Sequence, residues 1–471
     1  MKDLFKKIGG FSVGPLVAAF LSFITVPLIT YFISPDEYGR CGMFTLAQNT
    51  VSTVMYLGMD QAFVREFHED KNTERLLSNA ILFPAIFTLL LDAVLLLFPS
   101  RFSFLLFGTP GEFLAVFSLA MLFPFMLLEH FALMKLRMEE HGFAYSAFTI
   151  LLKALTLAAT VILFLSYEKS FRSVIYAIVL AQILSAVILF FFALRGVRLS
   201  FRLIQKPLIV RMLRYGLPLI PASALMWVLT SMDQVMLRAF TDYTELGLYT
   251  GAFKIVSVLS VLQSCFTLLW TPISLRWYES GADNKRFAYV MRLISLAMTV
   301  LCFGILLCKD VVALILGKKF ALSIYIFPFL MLHPIMYTAS EATSVGIAFT
   351  RKTVCNVITT SLAAVVNIAL NALLIPSLGA RGAAIATGIS YIVFFWVRTL
   401  LSRRVWYSFP IRNFVIYTLM ILVNCALHTF LRGPVPYIVS AASLLLIAVF
   451  EFRHVREAVA YLKSALSDTA P

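Results

Sequence analysis

Charge is scarce in this chain. Asp, Glu, Lys and Arg together account for 13% of its 471 residues, about half the share found in soluble globular domains. Hydrophobic side chains account for 61%, and nearly every window of about 20 residues is apolar enough to cross roughly 30 Å of hydrocarbon. A soluble chain of this length would divide into two or three domains; here one integral membrane domain is expected throughout. No polar segment is long enough for a soluble catalytic or nucleotide-binding domain. The nearest approach to a phosphate loop, LGKKF at 316–320, lacks the spaced first glycine and the Ser/Thr after the lysine, which argues against ATP hydrolysis. Metal and disulfide chemistry have as little support. Cys41, Cys265, Cys302, Cys308, Cys355 and Cys425 are scattered in or beside apolar runs without a CxxC or histidines at ligand spacing, and read as small buried hydrophobes. The start, MKDLFKKIGG, runs straight into a long apolar segment without a short hydrophobic region and cleavage site, so a retained first span is expected.

What is present is a succession of apolar runs. Reading them between charged or Pro/Gly-rich breaks predicts about fourteen transmembrane helices, at 9–33, 42–64, 79–98, 113–134, 145–166, 173–194, 215–240, 248–271, 291–308, 322–348, 353–375, 382–402, 412–431 and 435–452. The formal net charge of +15 would suggest nucleic acid in a soluble protein. With the N-terminus placed inside, however, 27 Lys/Arg fall in cytoplasmic segments, 9 in outer loops and 3 within spans. That bias predicts both termini on the cytoplasmic side. It accounts for most of the excess charge without a nucleic-acid partner.

Two halves of the chain echo each other. PDEYG at 35–39 recurs as YTELG at 243–247, FLLFG at 104–108 as ALILG at 313–317, and FPFMLLEH at 123–130 as FPFLMLHP at 327–334. The order is kept and the spacing is nearly constant, which predicts a duplicated six-helix unit. Six is even, so the copies enter the membrane in the same direction as parallel repeats around a central cleft. The expected organisation is an N-lobe at 1–200, a C-lobe at 201–405, and two additional spans with a tail at 406–471. MDQAFVR at 59–65 and MDQVMLR at 232–238 fall on opposite faces of this topology and are taken as coincidence.

The stretch NIALNALLIPSLGARGAAIATGISY at 367–391 describes a helical hairpin. Asn367 and Asn371 share one helix face, Pro376 is expected to end that helix, and Gly379 and Gly382 permit a tight turn. Gly382/Ala386 and Ala384/Gly388 are small-residue pairs that allow close helix approach. On physical grounds the asparagines read as interhelical glue. Together with ISPDEYG after the first span, the motif resembles the Wzx-type polysaccharide flippases of the multidrug/oligosaccharidyl-lipid/polysaccharide exporter superfamily. The resemblance covers essentially the whole chain. It implies a two-lobed alternating-access transporter that moves undecaprenyl-pyrophosphate-linked oligosaccharide across a bacterial inner membrane.

Such cargo leaves its lipid tail in the bilayer, whereas the hydrated sugar and anionic pyrophosphate need a polar, net-positive passage. Ionisable groups within spans are costly unless they face such a passage or a partner, so each is a candidate. Lys153 lies near the middle of the fifth span, too deep to snorkel comfortably. It is a candidate headgroup contact or, alternatively, is held by a structural partner within the bundle. Lys254 and Arg238 are candidates for the same role, with Asp233 as a neutralising partner of one of them. Arg65, near Asp60 at the inner end of the second span, could meet incoming pyrophosphate or serve only as a topological anchor. Glu129 with His130, and His333 with Glu341, are candidate proton or ion sites, or satisfied polar groups of the bundle.

Three other readings compete. A cation-coupled multidrug exporter would share the fold, but the resemblance implies twelve spans and an acidic cleft for that branch. A lipid-II flippase would carry several arginines in its first span, and FSVGPLVAAFLSFITVPLITYFI has none. A glycosyltransferase or polymerase needs a sizeable outer loop with catalytic residues, and 99–112 offers only Arg101 and Glu112. No cofactor is expected, the coupling ion (proton or sodium) is open, and a polysaccharide polymerase in the same membrane is a candidate partner.

Overall fold

The computed structural model describes residues 2–70, 72–195 and 200–467; Lys71 and Arg198, counted above among the cytoplasmic cations, lie outside them. All regular structure among the described residues is helical. The chain divides into two compact units: Met1–Gln234 with Asp242–Gly247, and Val235–Thr241 with Leu248–Pro471. Helices α1 (Lys2–Phe32), α2 (Pro35–Met55), α3 (Met59–Glu66), α4 (Thr73–Leu97), α5 (Pro99–Phe107), α6 (Phe113–Met138), α7 (Gly142–Ser166), α8 (Phe171–Ala193) and α9 (Lys206–Gly216) belong to the first unit. Helices α10 (Ile220–Phe240) and α11 (Tyr243–Val256) run across the division. The second unit holds α12 (Leu259–Glu279), α13 (Asn284–Leu307), α14 (Asp310–Leu316), a 3-10 segment Lys318–Tyr325, α15 (Phe327–Leu330), α16 (Leu332–Thr343) and α17 (Val345–Phe349). It continues through α18 (Val354–Leu378), α19 (Ala380–Val405), α20 (Arg412–Phe430) and α21 (Val435–Ser467).

Among the described residues, twelve helices are long and apolar enough to cross a membrane, and thirteen if a bent pair counts as one span. The expected fourteen fall short at two places, each with a local cause. The span at 42–64 is interrupted: α2 stops at Met55, Leu57 and Gly58 take positive φ (52° and 67°), and α3 begins at Met59. Gln48, Asn49, Thr50, Ser52 and Thr53 also make the second half of α2 too polar to count as a span. The span at 322–348 breaks at Tyr325, where the pieces Lys318–Tyr325 and Phe327–Thr343 meet at 57°. Pro328 supplies no N–H to continue the 3-10 segment, and Pro334 weakens the next turn in the same way.

The segments PDEYG and YTELG adopt the same local structure. Ser34 caps α2 by accepting the Glu37 N–H at 3.3 Å, while the Glu37 carboxylate accepts the Ser34 N–H at 3.2 Å, a reciprocal capping box. Asp242 caps α11 by accepting the Glu245 N–H at 2.9 Å. Within the first unit the two helix starts then meet through their glycines. A methyl group on Gly39 would strike the Tyr243 carbonyl, and one on Gly247 would strike the Pro35 carbonyl. The contact is reciprocal at equivalent positions, and only the absence of Cβ lets the backbones approach this closely.

In the first unit α6 packs against α8 and α4, and α7 against α1 and α8. In the second, the α18–α19 hairpin makes the most extensive helix pairing, α15 and α16 pack on α19, and α13 contacts α16, α20 and α21. Asn367 and Asn371 are fully buried, with the Asn371 amide donating to the Asn367 side-chain oxygen at 3.0 Å. Pro376 lies inside α18, two residues before its end; Gly379 (φ 56°) terminates the helix. The last turn tolerates proline because the missing N–H costs only one hydrogen bond near a frayed end. A methyl on Gly382 would come within 2.6 Å of the Leu374 carbonyl carbon, and one on Gly388 within 2.7 Å of the Phe329 ring. These two small residues set the approach of α19 to α18 and α15.

Candidate functional site

The polar centre of the first unit lies where α6, α7 and α8 meet. Glu129 on α6 is 6% exposed. Its two carboxylate oxygens are held by α8: Ser185 Oγ donates to one at 2.7 Å, and Gln182 Nε2 donates to the other. Such donors are what a buried carboxylate requires. Lys153 is half-buried near the middle of α7. Glu129 is the charge whose field acts on it, yet Lys153 makes no hydrogen bond or ion pair with a described residue. The carboxylate is thus satisfied by neutral donors, and no described residue uses the donors of the neighbouring ammonium group.

His130, next along α6, faces a second group. Its ring stacks on Tyr56 at 3.8 Å between centroids, and its Nε2 lies 3.6 Å from the Asp60 carboxylate. Asp60 also accepts from Gln61 at 2.9 Å. Asp60 therefore faces His130 from α3, while Glu129 precedes it on α6. Arg65 is exposed at the end of α3, its guanidinium carbon 4.7 Å from the Tyr215 ring centre. Next to it, buried Glu66 pairs with Arg211 of α9. Asp70, between α3 and α4, is bound by Arg75 at 2.6 and 2.9 Å; that guanidinium holds the Asp70 carboxyl below its ordinary pKa.

The remaining candidates are distributed over both units. Asp233 is buried at 2% exposure in the first unit, and Arg238 and Lys254 are half-buried in the second. His333 is packed among aromatic rings, with Tyr391 at 4.3 Å and Phe253 at 6.2 Å between centroids. Glu341 is engaged elsewhere: Arg398 of α19 donates to it at 2.5 Å and to Ser340 Oγ at 3.1 Å, with the guanidinium over the Tyr337 and Phe394 rings.

Sequence reasoning missed several of these partners. Gln182 and Ser185 are neutral residues in an apolar run and carry no signal until α8 is docked on α6. Arg398 was counted among the cytoplasmic loop charges, although it falls inside the expected span 382–402 as well as inside α19. Arg292, which donates two hydrogen bonds of 3.0 Å to Glu451, was likewise counted among the cytoplasmic loop charges.

The family model described as "Polysaccharide biosynthesis protein" matches residues 4–276. No curated protein sequence matches the chain. Among solved structures, a lipid II flippase MurJ in an inward closed conformation is similar with a TM-score of 0.71 at 16% identity, over 94% of this chain and 99% of that one. A MATE in a bent conformation gives 0.57 at 15% identity, over 88% and 97%. An inward-facing multidrug resistance MATE family transporter of the MOP superfamily gives 0.54 at 15% identity, over 83% and 94%. At these identities the likeness is one of fold.

Proposed function

The chain belongs to the polysaccharide biosynthesis protein family, and from that premise we propose that it is a flippase that carries polyprenyl-pyrophosphate-linked oligosaccharide across the bacterial cytoplasmic membrane for surface polysaccharide. Family and fold are those of membrane flippases and transporters rather than enzymes. The observation that carries the finer reading is Lys153: a cation held half-buried at mid-helix whose hydrogen-bonding capacity no described residue uses. Pyrophosphate leaving water loses strong solvation, and a fixed ammonium group in a low-dielectric setting replaces part of it. Glu129 tempers that charge without capping it, because Gln182 and Ser185 occupy its oxygens. The headgroup is accordingly assigned to Lys153, with Lys254, Arg238 and Arg65 as further cations along its route and Asp233 as a tempering carboxylate. Asp60, Glu129, His333 and Glu341 are the candidate coupling groups for a proton or sodium ion. Both termini are assigned to the cytoplasm, and a membrane polymerase is the proposed consumer of the cargo.

A lipid-II flippase is the second reading, favoured by the higher TM-score to the MurJ structure than to the MATE structures and disfavoured by the absence of arginine from the first span. The test is complementation with lipid analysis. The gene is deleted, lipids are extracted, and the undecaprenyl-linked species that accumulates on the cytoplasmic side is identified. Accumulation of a repeat-unit oligosaccharide, relieved by wild type and not by equally expressed Lys153→Ala, supports the proposal. Accumulation of a peptidoglycan precursor moves the chain to the second reading. Unchanged lipids with altered sensitivity to cationic drugs would sink both.

A further inference from the structure

In the second unit, a cavity of about 340 Å³ opens between the start of α13, the segment leading into α20, and α21. Its apolar wall is formed by Ala288, Tyr289 and Pro410, over the buried side chains of Met291, Phe409 and Phe414. Its rim is basic. Arg292 is spent, because both Glu451 oxygens hold it at 3.0 Å. Lys285, Arg412 and His454 are exposed and line the cavity without a carboxylate among the lining residues. The nearest acidic neighbour in sequence, Asp283, is engaged in capping α13, its side chain accepting the Lys285 N–H at 3.0 Å.

Neither cation is explained by the helices that carry them. Lys285 and Arg412 sit in the first turns of α13 and α20, where the helix dipole disfavours positive charge. They therefore sit against the helix dipole and make no ion pair with a described residue, on either side of a cavity that is oily inside and basic at its mouth. That combination matches one kind of ligand, an anionic headgroup with hydrocarbon attached. Basic pockets between transmembrane helices take lipid phosphates on this basis.

We propose that this cavity is a binding site for an anionic phospholipid, with its phosphate between Lys285 and Arg412 and an acyl chain along Ala288, Tyr289 and Pro410. The bound lipid bridges α13, α20 and α21 beside the Arg292–Glu451 pair. It is a structural lipid rather than the cargo, and the proposal stands apart from the transport reading.

The test uses the full chain purified in a neutral detergent. Phosphatidylglycerol is titrated in, with phosphatidylcholine and inorganic phosphate as parallel arms, and bound lipid is counted by native mass spectrometry while thermal unfolding is followed. Wild type is expected to retain phosphatidylglycerol and to gain thermal stability from it, with neither effect from phosphatidylcholine or phosphate. Lys285→Gln/Arg412→Gln should bind roughly thirtyfold more weakly, each cation near a membrane surface being worth about a factor of five. Lys285→Arg/Arg412→Lys preserves the charge and should retain most of the binding, which separates loss of the site from loss of the fold. Equal phosphatidylglycerol retention by wild type and the double Gln variant would overturn the proposal. So would a stability gain reproduced by inorganic phosphate, which would mark a site for a soluble anion.

Discussion

The pairing of Glu341 with Arg398 offers a sharp test of how the second unit is held together. It joins α16 to α19 through a 2.5 Å charge-assisted hydrogen bond, and the side chains are only 12% and 15% exposed. Glu341→Gln leaves the guanidinium without a counter-charge between the rings of Tyr337 and Phe394; Arg398→Met leaves the carboxylate alone. Removing one member of a buried pair costs about 3–5 kcal/mol, and the residual exposure argues for about 3. Neutral interhelical hydrogen bonds in membrane proteins average about 0.6 kcal/mol by double-mutant cycles, so the two cases are separable. The double variant removes both charges and should cost less than the sum of the singles, with a coupling of about 2 kcal/mol or more. The assay is reversible unfolding in mixed micelles by titration with a denaturing detergent, applied to all four members of the cycle. Single variants each costing under about 0.6 kcal/mol, with effects that add within about 0.5 kcal/mol, would refute the reasoning and reduce the pair to an ordinary polar contact.

Other expectations follow from the same coordinates. Gly39→Val places branched carbon against the Tyr243 carbonyl and should destabilise the first unit by about 1–3 kcal/mol, the usual cost of overpacking; a neutral effect in thermal unfolding would mean that the helix starts can part freely. Cys308 is the exposed cysteine, while Cys41, Cys302, Cys355 and Cys425 are buried, so a membrane-impermeant maleimide should label Cys308 in intact cells if the termini are cytoplasmic. Labelling of Cys308 only after the membrane is opened would reverse that orientation. For Asp70, the Arg75 guanidinium depresses the folded pKa. Its contribution is therefore present above the unfolded carboxylate value of about 3.9 and is lost as pH falls through the lower folded value. Arg75→Gln should be less stable than wild type at neutral pH and converge with it on acidification. A stability gap that persists in strong acid would count against this linkage.

The sequence by itself determined the solvent, the class of fold and the family. A chain with so little charge and so much hydrocarbon must satisfy its backbone internally, and in a bilayer successive helices do that. Capping also acts within four residues, yet the expected spans began at 42 and 248, and the helix starts behind Ser34 and Asp242 came only with the structure. What only the tertiary structure decided is which polar groups share a site. Glu129 and Lys153 lie on different helices. That Gln182 and Ser185 occupy the carboxylate, and leave the lysine its donors, depends on how α8 docks against α6. The same holds for Arg398, whose partner Glu341 is on α16 and is met only because α19 packs there. Helix periodicity names the face a residue occupies but not the neighbour that face will meet, and in a membrane, where apolar faces differ little from lipid, close packing of small residues such as Gly382 and Gly388 makes that choice.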